Sequence, residues 1–173
     1  MQVDPKWLTD REQQVWRSLL QLTTRLPAHL NRQLVADSGL TLADMDVLVG
    51  LADAPDGRVR VTELSRTLGW ERSRLSLQVA RMEQGGLVRR EACEDDGRGA
   101  YVAITDSGRS LLQSAAPAHV ALVRRLVVDA LPAADLQRLG AAVVAVLDRI
   151  AESARPDGST TVPGIPTWRG SAT

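Results

Sequence analysis

Eight arginines stand between Arg58 and Arg90 against three glutamates, Glu63, Glu71 and Glu83. This local excess of five positive charges sits in a chain of 173 residues whose net charge is zero. A guanidinium is planar and can fork two N–H donors onto a phosphate or onto the acceptor edge of guanine. Clustered in one window, such groups form the electrostatic footprint of a duplex partner. Lys6 is the only lysine. A GC-rich codon bias would produce the same preference for arginine, so the clustering carries the argument and the residue type does not.

The constellations that would carry catalysis are missing. The chain has no glycine-rich phosphate loop, no G-x-S-x-G, no paired C-x-x-C and no histidine beside an obvious nucleophile. Glu94, Asp95 and Asp96 fall in a polar stretch with Gly97 and Gly99, which suits a hairpin tip and not a pocket. His29 and His119 have no closely spaced carboxylates, so neither a metal site nor a cofactor is expected. Cys93 is the only cysteine, which rules out an internal disulfide and suits a small packed thiol. No apolar run approaches the length of a membrane span, and the charged first 20 residues are unlike a secretory signal. A soluble cytoplasmic protein that is not an enzyme is expected.

The elements that must position the arginines follow from periodicity. Apolar residues stepping by three or four from Val15 through Leu19, Leu22, Leu26 and Leu30 to Leu34 predict a long helix over 10–36, with a kink or break near Pro27. Thr41 with Asp44 three residues on predicts the cap of a second helix, burying Met45, Leu48 and Val49, with Leu42 at the margin, before the Ala54-Pro55-Asp56-Gly57 turn. A strand stub at 58–61 leads to a short helix capped by Thr62 and closed by Gly69. A few residues later another helix runs from 72 to about 84 and stops at Gly85-Gly86. Two helices joined by so short a turn form a helix-turn-helix when the second carries an exposed polar face.

That condition is met. At 100° per residue, Leu75, Val79 and Met82 gather on a core face, while Ser73, Leu77, Ala80 and Gln84 lie opposite, flanked by Arg74 and Arg81. Arg74 could fork onto guanine, Ser73 or Gln84 could reach base edges or phosphate, and Leu77 could touch a thymine methyl. Residues 87–93 and 100–105 read as two extended runs, a hairpin whose tip carries Arg98. A guanidinium there could enter the adjacent minor groove, and Asp96 could pair with Arg81 or Arg98 to hold the wing. Thr105 then caps a helix to about 130, with a kink at Pro117. A last helix follows over 132–153, apolar at Leu136, Leu139, Val143, Val146, Leu147 and Ile150. The Pro/Gly/Ser/Thr-rich residues 154–173 read as a tail.

Residues 61–90, VTELSRTLGWERSRLSLQVARMEQGGLVRR, together with DGRGAYVAIT at 96–105 and the following Gly108, resemble the MarR family of winged-helix regulators. The Ser73-Arg74-Leu75-Ser76 stretch resembles the family's recognition-helix start, and Gly86-Leu87-Val88 its helix-to-wing junction. The wing pattern falls on Asp96, Arg98, Val102, Ile104, Thr105 and Gly108. The resemblance implies a mostly α fold with a small β-hairpin wing: a winged helix-turn-helix domain over 41–106, with dimerisation helices over 1–40 and 107–153. It implies a homodimer, and the unused apolar stripes of the outer helices agree.

The function so implied is a regulator, more readily a repressor, that binds a pseudo-palindromic operator and is released by a small, phenolic or anionic, effector. Arg98 would be the minor-groove arginine, and Ser73, Arg74 and Leu77 the major-groove readers, with Arg81 and Gln84 beside them. The effector cleft would lie between the first, second and fifth helices, where Trp16, His29, Met45 and His119 are the candidate contacts. The competing reading is a winged helix that binds only protein. It would want an apolar or acidic outer helix face, whereas this one carries Arg74 and Arg81.

Overall fold

A computed structural model describes residues 7–92 and 100–153. The chain begins with α1 (Asp10–Ser38) and α2 (Leu42–Ala52), then β1 (Arg58–Arg60), α3 (Val61–Leu68) and α4 (Arg72–Gln84). Strands β2 (Val88–Ala92) and β3 (Ala100–Ile104) follow, then α5 (Asp106–Val123), a π-helical turn (Arg124–Val128) and α6 (Ala133–Ser153). The three strands make one antiparallel sheet in the order β1-β3-β2. Arg60 lies opposite Tyr101, and Tyr101 opposite Glu91. This is the mostly helical, winged-helix architecture expected from the sequence.

The local chemistry explains most of the boundaries. Thr41 accepts a hydrogen bond from the Asp44 amide while the Asp44 carboxylate reaches back to the Thr41 amide, a reciprocal capping box that starts α2. A second such box, Thr9 with Glu12, starts α1. Gly69 closes α3 in the left-handed region, at φ 65°, where a side chain would be strained. The next amide, of Trp70, bonds back to the Ser65 carbonyl at 2.9 Å.

Three expectations are corrected. Thr62 does not cap α3, because β1 runs straight into the helix and Arg60 occupies the capping position without a side-chain bond. Pro27 does not break α1, and α5 runs on through Pro117. The irregularity after Pro117 comes instead at the π-helical turn, which wraps one extra residue per hydrogen bond and is followed by an ion pair between Arg124 and Asp129 at 2.6 Å. On α2 the fully buried residues include Val47 and Leu51 beside Met45 and Leu48. With sheet, α4 and α5 around it, α2 is buried over more than one face, so a single stripe underestimates its contacts.

The core joins Leu48, Leu51, Leu64, Leu75, Val79 and Val102 with Leu112 of α5. It is centred on the winged-helix portion. α1 contributes only Leu34 to the fully buried set, and α6 contributes nothing. Their apolar residues Val15, Leu22, Val143, Leu147 and Ile150 are exposed on the single chain.

The junctions before β2 and after β3 are fastened to each other. The Thr105 hydroxyl lies 2.7 Å from the Gly86 carbonyl and 3.0 Å from that of Leu87, and it also accepts from the Gly108 amide at 3.0 Å. One side chain therefore caps α5 and ties it to the end of α4. Thr105→Val keeps the shape and removes these bonds. It should cost about 1–2 kcal/mol, read as a lower urea midpoint with unchanged slope. An unaltered midpoint would remove Thr105 from the structural argument.

Candidate nucleic-acid interface

α3 and α4 form the helix-turn-helix. Their turn, Gly69 to Glu71, is held by Trp70, which packs against the core while its ring carries the Arg74 guanidinium at 4.2 Å from the centroid. A cation over an indole face is attracted by the ring quadrupole. Trp70 thus anchors the turn and also steers the first arginine of the outer face. Asp46 on α2 is near enough to feel the Arg74 charge. Burial pushes its carboxyl above the usual range, and Arg74 pulls it partly back.

α4 divides as its periodicity requires. Leu75, Val79 and Met82 are buried, and Ser73, Arg74, Leu77, Arg81 and Gln84 are exposed. Leu77 is 72% exposed, a large apolar side chain standing on an otherwise polar ridge. The row from Ser73 to Gln84 extends about 16 Å along the helix axis. Together with Ala43 of α2, the residues Ser73, Arg74, Leu77, Gln78 and Arg81 line a shallow hollow of about 660 Å³. No side chain caps the start of α4, so its first amides are open to an anion.

Gln78 was not among the residues singled out by type. It is 4% exposed, and its amide donates to the Asp44 carboxylate and accepts from the Arg81 guanidinium. The helical period alone does not decide its burial, since Gln78 lies about 40° from Met82 on the core face and about 40° from Arg74 on the exposed one.

Apart from Arg66 in the last turn of α3, the arginines of the window divide between two surfaces. Arg72, Arg74 and Arg81 stand on α4. Arg58, Arg60 and Arg89 lie on the outer face of the sheet, where Arg58 and Arg60 flank the Tyr101 ring at 5.2 and 5.3 Å. Arg58 and Arg89 both pair with Glu91, at 3.3 and 2.7 Å. Arg90 turns back to α4 and donates to the Ser76 carbonyl at 3.0 Å. Cross-strand pairing, invisible to a linear charge count, makes this division. Arg98, Asp96 and Cys93, and with them the expected pairing of Asp96, lie outside the described residues, as does the tail 154–173.

The four candidate effector contacts lie on three helices, α1, α2 and α5. Met45 is buried in the core and Trp16 is half exposed on α1. His119 is half-buried on α5, and burial pushes its imidazole below the usual range. His29 alone of the four lines the hollow of about 520 Å³ formed by Thr24, Arg25, Leu26, His29 and Arg32 against Leu126. Its Nδ1 is 3.4 Å from the Arg32 guanidinium. Among the described residues no group of three His, Cys, Asp or Glu side chains is arranged to hold a metal, and no single helix is long and apolar enough to cross a membrane.

Residues 38–99 match the sequence model of the MarR family. The whole fold is similar to AbsC, a MarR family transcriptional regulator from Streptomyces coelicolor, with 39% identity over 88% of this chain and all of AbsC and a TM-score of 0.79. It is equally similar to Sco3205, a MarR family regulator of the same organism solved in complex with DNA, with 40% identity over 94% of this chain and 98% of Sco3205 and a TM-score of 0.81. The Mycobacterium tuberculosis regulator MOSR, also solved with DNA, is 25% identical over 80% of this chain and 96% of its own, with a TM-score of 0.65. No curated protein sequence matches.

Proposed function

This chain belongs to the MarR family of transcriptional regulators, and on that premise we propose that it binds duplex DNA as a homodimer and represses transcription in the cytoplasm until a small effector releases it. The observation that carries the proposal is the outer face of α4. Ser73, Arg74, Leu77, Arg81 and Gln84 stand on one exposed ridge, backed by a buried apolar face that fixes the helix on its domain. A ridge of that width suits the major groove. Arginine is the side chain that reads guanine there, and Leu77 offers an apolar contact for a thymine methyl. Arg98 on the wing would enter the minor groove, oriented by Asp96. That two relatives were solved with DNA supports the reading.

The domain assignment follows the same reading. Residues 41–106 are the DNA-binding unit, and the helices over 1–40 and 107–153 are its dimerisation arms. The exposed apolar residues of α1 and α6 find their partner in a second copy, giving a pseudo-palindromic site with half-sites roughly 34–36 Å apart. A phenolic or anionic effector would enter between the dimerisation helices and the winged lobe, with Trp16, His29 and His119 as candidate contacts and Met45 behind them.

Fluorescence anisotropy on the DNA flanking the protein's own gene, against scrambled DNA and across a salt series, tests this. Nanomolar binding that prefers the native sequence and falls steeply with salt is expected. Weak, sequence-indifferent binding there, followed by failure of a random-sequence selection, would overturn it in favour of a protein-binding module. In the same assay Arg98→Ala should weaken binding with the fold intact. Arg74→Ala should in addition relax base preference, by about 1–3 kcal/mol at the position it reads. An Arg74→Ala protein with unchanged discrimination would remove Arg74 from base reading.

A further inference from the structure

The buried amide of Gln78 lies beneath the exposed ridge of α4 and is not itself open to a partner. We infer that Gln78 is a positioning residue for Arg81, clamping its guanidinium to the start of α2 so that it meets DNA already oriented. The inference rests on the DNA-binding reading above.

The hydrogen bonds leave the amide one orientation. Asp44 Oδ2 is engaged by the Thr41 amide at 2.8 Å and its hydroxyl at 2.6 Å, so the capping box of α2 fixes the carboxylate. Its other oxygen faces Gln78. A carboxylate only accepts, so the Gln78 NH₂ must point to Asp44, and the Gln78 carbonyl oxygen must then face Arg81, whose guanidinium only donates. The reversed amide would set oxygen against oxygen and donor against donor. Every group in the chain Thr41–Asp44–Gln78–Arg81 therefore has one arrangement.

The line continues into α1. The Leu42 amide, one residue after Thr41, donates to Asn31 Oδ1 at 2.9 Å, so the α2 end of the relay is itself tied to the helix preceding it. An arginine held in this way loses rotamer freedom on folding and not on binding. Arg74 receives similar treatment from the Trp70 ring on the other flank of Leu77. The hollow between them is thus bordered by two cations that are each held from behind.

Gln78→Met keeps the length of the side chain and its burial but removes both hydrogen bonds. On an operator obtained by random-sequence selection it should lower affinity about fivefold, and leave affinity for scrambled DNA unchanged. In an Arg81→Ala background the same substitution should have no further effect, because Gln78 acts only through Arg81. Should Gln78→Met fail to fold, the wild-type protein still decides. Backbone-independent ¹⁵N relaxation at Arg81 Nε, measured without DNA, should report an ordered guanidinium, against a mobile one at Arg72. Additive losses in the two backgrounds, or an Arg81 as mobile as Arg72, would overturn the relay alone. A wild-type protein that selects no sequence would overturn it together with the reading beneath it.

Discussion

Gly108→Ala is expected to destabilise the protein by about 1–3 kcal/mol, even though alanine is the better helix former. A β-carbon at Gly108 would stand 2.1 Å from the Leu87 carbonyl oxygen and 3.2 Å from Ile104 Cγ1. The first neighbour is backbone, so no side-chain rotation relieves the clash. Either the start of α5 or the end of α4 must move, and both are held by the Thr105 hydroxyl and by the Thr105 amide, which bonds the same Leu87 carbonyl at 3.1 Å. Helix propensity favours alanine by about 1 kcal/mol. Displacing the junction costs about 1–3 kcal/mol for overpacking, with about 1 kcal/mol more for the strained cap, and it wins. Melting followed by circular dichroism should show a midpoint lower by roughly 5–10 °C. A midpoint within a degree of wild type would mean that α5 is not seated on Leu87.

The second large effect concerns oligomeric state. In the homodimer proposed above, Val143→Asp together with Leu147→Asp should separate the two copies into monomers. Both residues lie on α6, none of whose residues is buried in the single chain. In a two-fold interface each substitution occurs twice. Burying a Val or Leu side chain contributes about 1.5–3 kcal/mol, so four lost burials should weaken association by at least about four decades. Sedimentation velocity should then find species near the 18.7 kDa chain mass in place of twice that. Operator affinity should fall with it, since each half-site would be bound without its tethered partner. A variant that sediments as a dimer would move the interface away from α6.

The parts of this molecule legible in its sequence are those governed by neighbours along the chain. The Thr41–Asp44 box, the glycine that closes α3, and the division of α4 into a buried Leu75–Val79–Met82 face and an exposed one are local matters of periodicity and capping. What lay beyond reach depends on residues far apart in sequence. The pattern of the wing marks Gly108 as a matched position, but the reason for a glycine there is a carbonyl 21 residues earlier. Glu91 draws Arg58 and Arg89 onto the sheet face through strand register. The burial of Gln78 depends on α2 presenting a fixed carboxylate to it. The π-helical turn also has no cue in residue type: Pro117 was the visible irregularity, and the helix passes through it.

Among the described residues, the strand order β1-β3-β2 leaves two sheet borders without a further strand, and a protein that displays a sheet beside the exposed face of α4 must keep those borders from recruiting further strands. β1 has three residues, and two of them are arginines, while β2 carries Arg89-Arg90-Glu91 in succession. Short, charged border strands are the common protection against edge-to-edge aggregation. The same arginines that add positive charge to the winged lobe thereby act as gatekeepers of its solubility, and their replacement by alternating apolar residues would favour fibrous self-association before it weakened the fold.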